Sequence, residues 1–151
     1  MIKYFKKIFQ KNKTEQSFYQ LLGAQEGLKE LVENFYQTMQ NDPLAKECLE
    51  LHKLEDNKVS KQSKTKLIWF LSGWLGGPNL FVENIGHPRM RMRHAHVRIS
   101  EKERDQWLYC METALQKHSI RLKDKPYTSL MRSFMALAYR IQNSNNHDNK
   151  N

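Results

Sequence analysis

The stretch Gly86-His87-Pro88-Arg89-Met90-Arg91-Met92-Arg93-His94-Ala95-His96-Val97 gathers three arginines, two methionines and three histidines without one acid. Pro88 can open a short helix there, since its missing N–H costs nothing in a first turn. On that helix Met90, His94 and Val97 share a face at spacings of four and three. A histidine among apolar neighbours has two readings. It can be a core residue hydrogen-bonded to backbone, or an axial ligand for the iron of a large flat cofactor, since neutral imidazole suits iron. Arginines beside such a ligand match cofactor carboxylates in geometry and charge. The cofactor would also need an apolar slot, which Leu67, Phe70 and Leu71 could line.

Outward from this segment the pattern is helical. Leu28, Leu31, Val32, Phe35, Tyr36 and Met39 repeat as one face of an amphipathic helix. A short helix from Ser17 to Leu22, closed by Gly23, precedes it. Asp42 and Pro43 read as N-cap and first turn of a short helix reaching about Leu51. Lys53 to Lys61 is charged and aperiodic, which predicts a loop. Ser63, Leu67, Phe70, Leu71 and Trp74 form the next stripe, stopped by Gly76-Gly77-Pro78. Ser100 and Glu103 form a capping box for a helix that buries Trp107, Cys110, Met111, Ala114 and Leu115. Pro126 opens the last helix, with Leu130, Phe134, Leu137, Ala138 and Ile141 inward. No sustained two-residue alternation calls for strands, so the fold class is all-α. His118 and His147, near helix or chain ends, are expected in solvent.

The 151 residues suit one domain, and 39% hydrophobic residues suffice for a core. The longest apolar stretch, Leu67 to Leu75, is interrupted by Ser72 and Gly73, well short of the about 20 residues that span a bilayer. Two cysteines, Cys48 and Cys110, and no readable signal peptide point to a reduced, cytoplasmic setting. The net charge of +9 resides in two blocks, five lysines in residues 1–13 and four arginines from Arg89 to Arg98. Outside them 16 basic residues face 16 acidic ones, so the excess is local. Residues 1–14 read as a basic, amphipathic extension with Ile2, Phe5, Ile8 and Phe9 at helical spacing. That arm is either solvated or in peripheral contact with anionic membrane. Residues 15–142 form the domain, and 143–151 a polar, disordered tail. No phosphate loop, Gly-x-Ser-x-Gly or His-Glu-x-x-His motif occurs.

Three strings carry a specific resemblance: Phe35-Tyr36; Trp74-Leu75-Gly76-Gly77-Pro78; and Gly86 through His94, followed by Glu103-Arg104-Asp105-Gln106-Trp107-Leu108-Tyr109-Cys110-Met111. Over roughly residues 17–142 the chain resembles the group II (O-type) truncated haemoglobins. The resemblance implies a globin-like two-over-two helical sandwich around haem b. It assigns His94 as proximal iron ligand, and Tyr36, Trp107 and His52 as residues that stabilise the distal ligand. Phe35, Ser63, Leu67, Phe70, Leu71, Met90, Val97 and Met111 would line the pocket, with Arg91 and Arg93 at the propionates. The chain departs from the family at His96-Val97, where Pro-Phe is usual, and in a longer segment between His52 and Leu67. On a continuing helix His94 and His96 would lie about 200° apart, which puts His96 at the surface or near a propionate.

The implied function is binding of O2, CO, NO or other small ligands at a pentacoordinate or reversibly hexacoordinate iron. Three polar contacts would slow release of O2, favouring a redox, sensing or NO- or peroxide-detoxifying role over bulk delivery. Whether the chain turns over NO or peroxide is left open, as is an electron-donor reductase. The rival reading is a basic helical module for nucleic acid or anionic membrane. It explains the charge but not Tyr36, Trp107 or the Gly-Gly-Pro break, so no nucleic-acid partner is expected.

Overall fold

A computed structural model describes residues 15–145. The expected N-terminal arm and His147 lie outside them. Helices α1 (Phe18–Leu21), α2 (Ala24–Asn41) and α3 (Lys46–Glu50) come first, with a 3₁₀ turn at Pro43–Ala45 before α3. Strands β1 (Leu54–Glu55) and β2 (Lys58–Val59) follow. Then come α4 (Lys61–Trp74), α5 (Leu80–Asn84), α6 (Met90–Arg93), α7 (Glu101–Lys117) and α8 (Asp124–Ile141). Helix α2 packs on both α4 and α7, and α7 packs on α8, so two helix pairs cover one another.

The stripes explain this packing. Leu28, Leu31, Val32, Phe35, Tyr36 and Met39 of α2 are all buried, as are Cys110, Met111, Ala114 and Leu115 of α7. Each large side chain among them contributes roughly 1.5–3 kcal/mol on burial. Asp42 caps the 3₁₀ turn by accepting from the Leu44 N–H at 3.0 Å. Ser100 and Glu103 form the expected capping box. Gly76 ends the turn after α4 at φ +91°, a conformation that disfavours any side chain.

Four expectations change. The segment after Lys53 is not all loop. Leu54 pairs with Val59 and Glu55 with Lys58 in a small antiparallel hairpin. Asp56 and Asn57 both take positive φ, which suits a two-residue hairpin turn. The last helix starts at Asp124, with Pro126 inside its first turn, where no N–H is required. His118 is not solvated but 2% exposed. Its Nε2–H donates to the Gly27 carbonyl at 2.7 Å, and its Nδ1 accepts from the Ile120 N–H at 3.0 Å. Asn143 and Ser144 are not a loose tail, since both backbone N–H groups donate to the Ile99 carbonyl.

Candidate functional site

A cavity of about 750 Å³ opens between the two helix pairs, a size usual for cofactor sites. Tyr36 comes from α2, His52 from the turn after α3, and Ser63, Leu67 and Phe70 from α4. Trp107 comes from α7, while Met90, Arg93, His94 and Val97 belong to α6 and the turn behind it. Sequence reasoning thus gathered ten residues that the fold brings to one space.

Four others do not line it. Phe35 and Met111 are fully buried behind the wall, between α2 and α7, and Leu71 is fully buried on α4. The Phe35 ring backs Tyr36 at 4.9 Å and Trp107 at 5.5 Å between centroids. A helical stripe marks an inward side chain, but not whether it meets the cavity or the next helix. Arg91 is exposed and borders a shallower groove beside the cavity. Phe81, Ile85, Leu137, Ala138 and Ile141 also belong to the apolar lining and carry no site assignment from the sequence. The α8 stripe was the one readable signal for the last three.

The polar groups are specifically set. His94 Nδ1 lies 2.6 Å from the Met90 carbonyl. A carbonyl only accepts, so Nδ1 carries the hydrogen and Nε2 keeps a lone pair. His52 Nδ1 makes the same kind of bond to the Cys48 carbonyl at 2.9 Å. Burial pushes the His52 imidazole below the ordinary histidine range, although the bond to Cys48 opposes this. Its Nε2 is therefore an acceptor, not a third donor. Tyr36 is 3% exposed, and burial pushes its hydroxyl well above the usual phenol range, so it remains protonated. Neither the Tyr36 hydroxyl nor the Trp107 indole N–H bonds to any described residue, and no described polar side-chain atom is sealed from solvent without a partner. Both donors are left for something held in the cavity.

Arg93 forms part of the wall. Its Nε donates to the Pro88 carbonyl at 2.7 Å and its Nη2 to the His87 carbonyl at 3.0 Å, over the Phe81 ring. Helix α6 ends at Arg93, and His94–His96 form a turn. His96 is exposed, as expected, and borders both the cavity of His94 and the outer groove beside Arg91. The donor set suits a flat iron cofactor: an apolar slot, an imidazole with a bare Nε2, a fixed guanidinium and two unpaired donors.

The bacterial-like globin family model matches residues 17–143. The Group 2 truncated hemoglobin YjbI of Bacillus subtilis (strain 168) is 37% identical over 97 residues, which are 64% of this chain and 67% of that protein. The cold-adapted truncated hemoglobin of Pseudoalteromonas haloplanktis TAC125 superposes with a TM-score of 0.75 at 36% identity, covering 85% of this chain and 99% of that one. The group II 2-on-2 hemoglobin of Agrobacterium tumefaciens gives 0.78 at 30%, covering 87% and 98%. With the two-over-two fold and this cavity, these likenesses show that the chain belongs to the bacterial-like globins, as a group II truncated haemoglobin.

Proposed function

We propose that the cavity holds haem b with His94 as its axial ligand, and that the protein binds O2 and related gases. The reading also gives it a redox, sensing or NO- or peroxide-detoxifying role rather than bulk oxygen delivery. Haem binding itself follows from the family. The observation that carries the finer reading is the fixed tautomer of His94, whose bare Nε2 shares a cavity with two unpaired donors, Tyr36 and Trp107. Cys48 and Cys110 stand alone, without the Cys-x-x-Cys-His sequence that attaches haem covalently. A non-covalent haem b fits that chemistry.

When bound, haem supplies an iron with an open coordination position that takes diatomic ligands and exchanges one electron. His94 would hold that iron through Nε2, and the bond from Nδ1 to the Met90 carbonyl would fix its ring plane and raise its basicity. Tyr36 and Trp107 can each donate one hydrogen bond to negative charge on the ligand, in a space walled from bulk water on several sides. His52 offers an acceptor, and its ring lies 5.7 Å from that of Tyr36 between centroids; the hydroxyl has a single hydrogen, so a bond to His52 would compete with donation to the ligand. Two convergent donors slow escape of a polar ligand, which favours chemistry on it over its delivery. Arg93 remains to meet a propionate, a role better placed on it than on Arg91.

The basic-module reading finds less support. Arg98 is tied to Ser144 and Asn145, and Arg93 is turned to the cavity wall, so two of the four arginines in the block do not project together as an outer basic face. The deciding measurement is an absorption spectrum of purified protein, ferric, reduced, and reduced with carbon monoxide. The reading expects a Soret band that shifts sharply with carbon monoxide, is lost or altered in His94→Ala, and persists in His96→Ala. Colourless protein that ignores added haemin would overturn it.

A further inference from the structure

Two imidazoles border the cavity from one short turn. His94 is tied to Met90, whereas His96 makes no hydrogen bond with a described residue. A proline at position 96 would fix the backbone there; this chain has histidine. The order of the turn must come from elsewhere, and Asn143 supplies it. Its Nδ2 donates to the carbonyl of His94 at 3.2 Å and to that of Val97 at 2.8 Å. Its Oδ1 accepts from the Ile99 N–H at 2.8 Å, and its own N–H donates to the Ile99 carbonyl at 3.0 Å. One amide therefore uses both hydrogens and its oxygen on three backbone groups that bracket His96. Flipping the amide would oppose like to like at all three, so its orientation is determined.

We propose that Asn143 is a positioning residue that selects His94 over His96 as the imidazole presented to the iron. The inference rests on the reading of His94 as axial ligand. Asn143 follows α8 closely, and the same helix lines the cavity through Leu137 and Ile141. One rigid element thus carries both a wall of the site and the clamp on its ligand turn. The side chain must both donate twice and accept once at this reach. Aspartate keeps the acceptor and loses the donors; alanine loses all three.

The test uses haem-loaded protein and the iron–histidine stretching band of the ferrous form in resonance Raman spectra, for wild type and for Asn143→Asp, Asn143→Ala, His96→Ala and Asn143→Ala/His96→Ala. Wild type and His96→Ala should share one band. Asn143→Ala should shift that band or add a second, and the double variant should lose the second. Asn143→Asp, which retains the Ile99 contact and so the docking of the chain end, should show the same change. Haem transfer to apomyoglobin should be at least roughly fivefold faster in both single Asn143 variants, each of which loses two or more hydrogen bonds on the turn. An unaltered band with only a lower melting temperature would reduce Asn143 to a structural role and overturn the proposal. So would a second band that survives removal of His96. His94→Ala in the same series separates the two readings: haem retained with the wild-type band there would overturn the axial role of His94 itself.

Discussion

The Tyr36–Trp107 wall and the His94 turn face one cavity but are built by opposite means. Tyr36 and Trp107 stand on helices of 18 and 17 residues, backed by the fully buried Phe35, and Trp107 also packs on Phe134 at 5.8 Å. Packing fixes them. His94 follows a helix of four residues that buries none of its side chains, and Arg89 at its start takes φ +41°. Hydrogen bonds to Met90 and Asn143 fix it instead. A packed wall resists small polar changes and fails when volume is removed, because interiors are dense. A turn held by a few directed bonds responds to single atoms and carries little of the global stability.

The largest effect that would break this contrast is on the wall. Phe35→Ala removes a fully buried ring and should cost about 3–5 kcal/mol, read by denaturant unfolding of the haem-free protein. A loss below 1 kcal/mol would mean that packing does not hold the wall. Trp107→Phe keeps the ring and removes the N–H. Losing a hydrogen bond to a charged acceptor is worth ~1.5–3 kcal/mol, so bound O2 should escape roughly ten- to a hundredfold faster. Stopped-flow displacement measures this, and an unchanged rate would leave Tyr36 as the sole donor.

On the other side, Arg89→Gly should stabilise the protein by about 1 kcal/mol, since a left-handed residue with a side chain costs about that much. Thermal melts test it, and destabilisation would mean that the Arg89 side chain holds the turn. The smallest effect is a pH dependence. The hydrogen bond from Lys102, then that from Gln106, holds the half-buried Glu47 carboxyl down at about 2, from an ordinary 4.5. A folded value below the unfolded one stabilises above about pH 4.5, and the benefit fades as pH falls towards 2. Glu47→Gln should therefore lower the melting temperature slightly at pH 6 and not at pH 2, sharpening how little the rim of the wall matters.

The same contrast governs what the sequence could show. The wall was legible because it is periodic: the stripe from Leu28 to Met39, the Ser100–Glu103 box and the Asp42-Pro43 start all appear as local patterns, and the fold follows them. The family resemblance picks out Tyr36 and Trp107, while His94 is already a candidate ligand by its spacing with Met90 and Val97, and the fold sets all three on one cavity. What was hidden depends on partners distant in sequence. His118 is buried because the Gly27 carbonyl, 91 residues away, receives its Nε2–H. A Cβ on Gly27 would fall 1.7 Å from the Leu22 carbonyl oxygen, so that close approach needs glycine. Asn143 acts on backbone 44 to 49 residues earlier and looked like the start of a polar tail. The Met90-His94-Val97 spacing predicts helix through His94, whereas the helix stops at Arg93, because periodicity does not reveal where a short helix ends.

The two thiols have a practical consequence. Cys48 is 3% exposed and Cys110 is fully buried, and burial pushes both upward, Cys110 to about 12. Neither forms much thiolate at neutral pH, and thiolate is the species that maleimides and disulfide reagents attack. A cysteine introduced on the outer face of α8, at exposed Lys125 or Arg132, would be the one reactive handle on a chain whose two native cysteines are buried. Fluorophores, spin labels or an electrode surface could be attached there without first deleting the native residues.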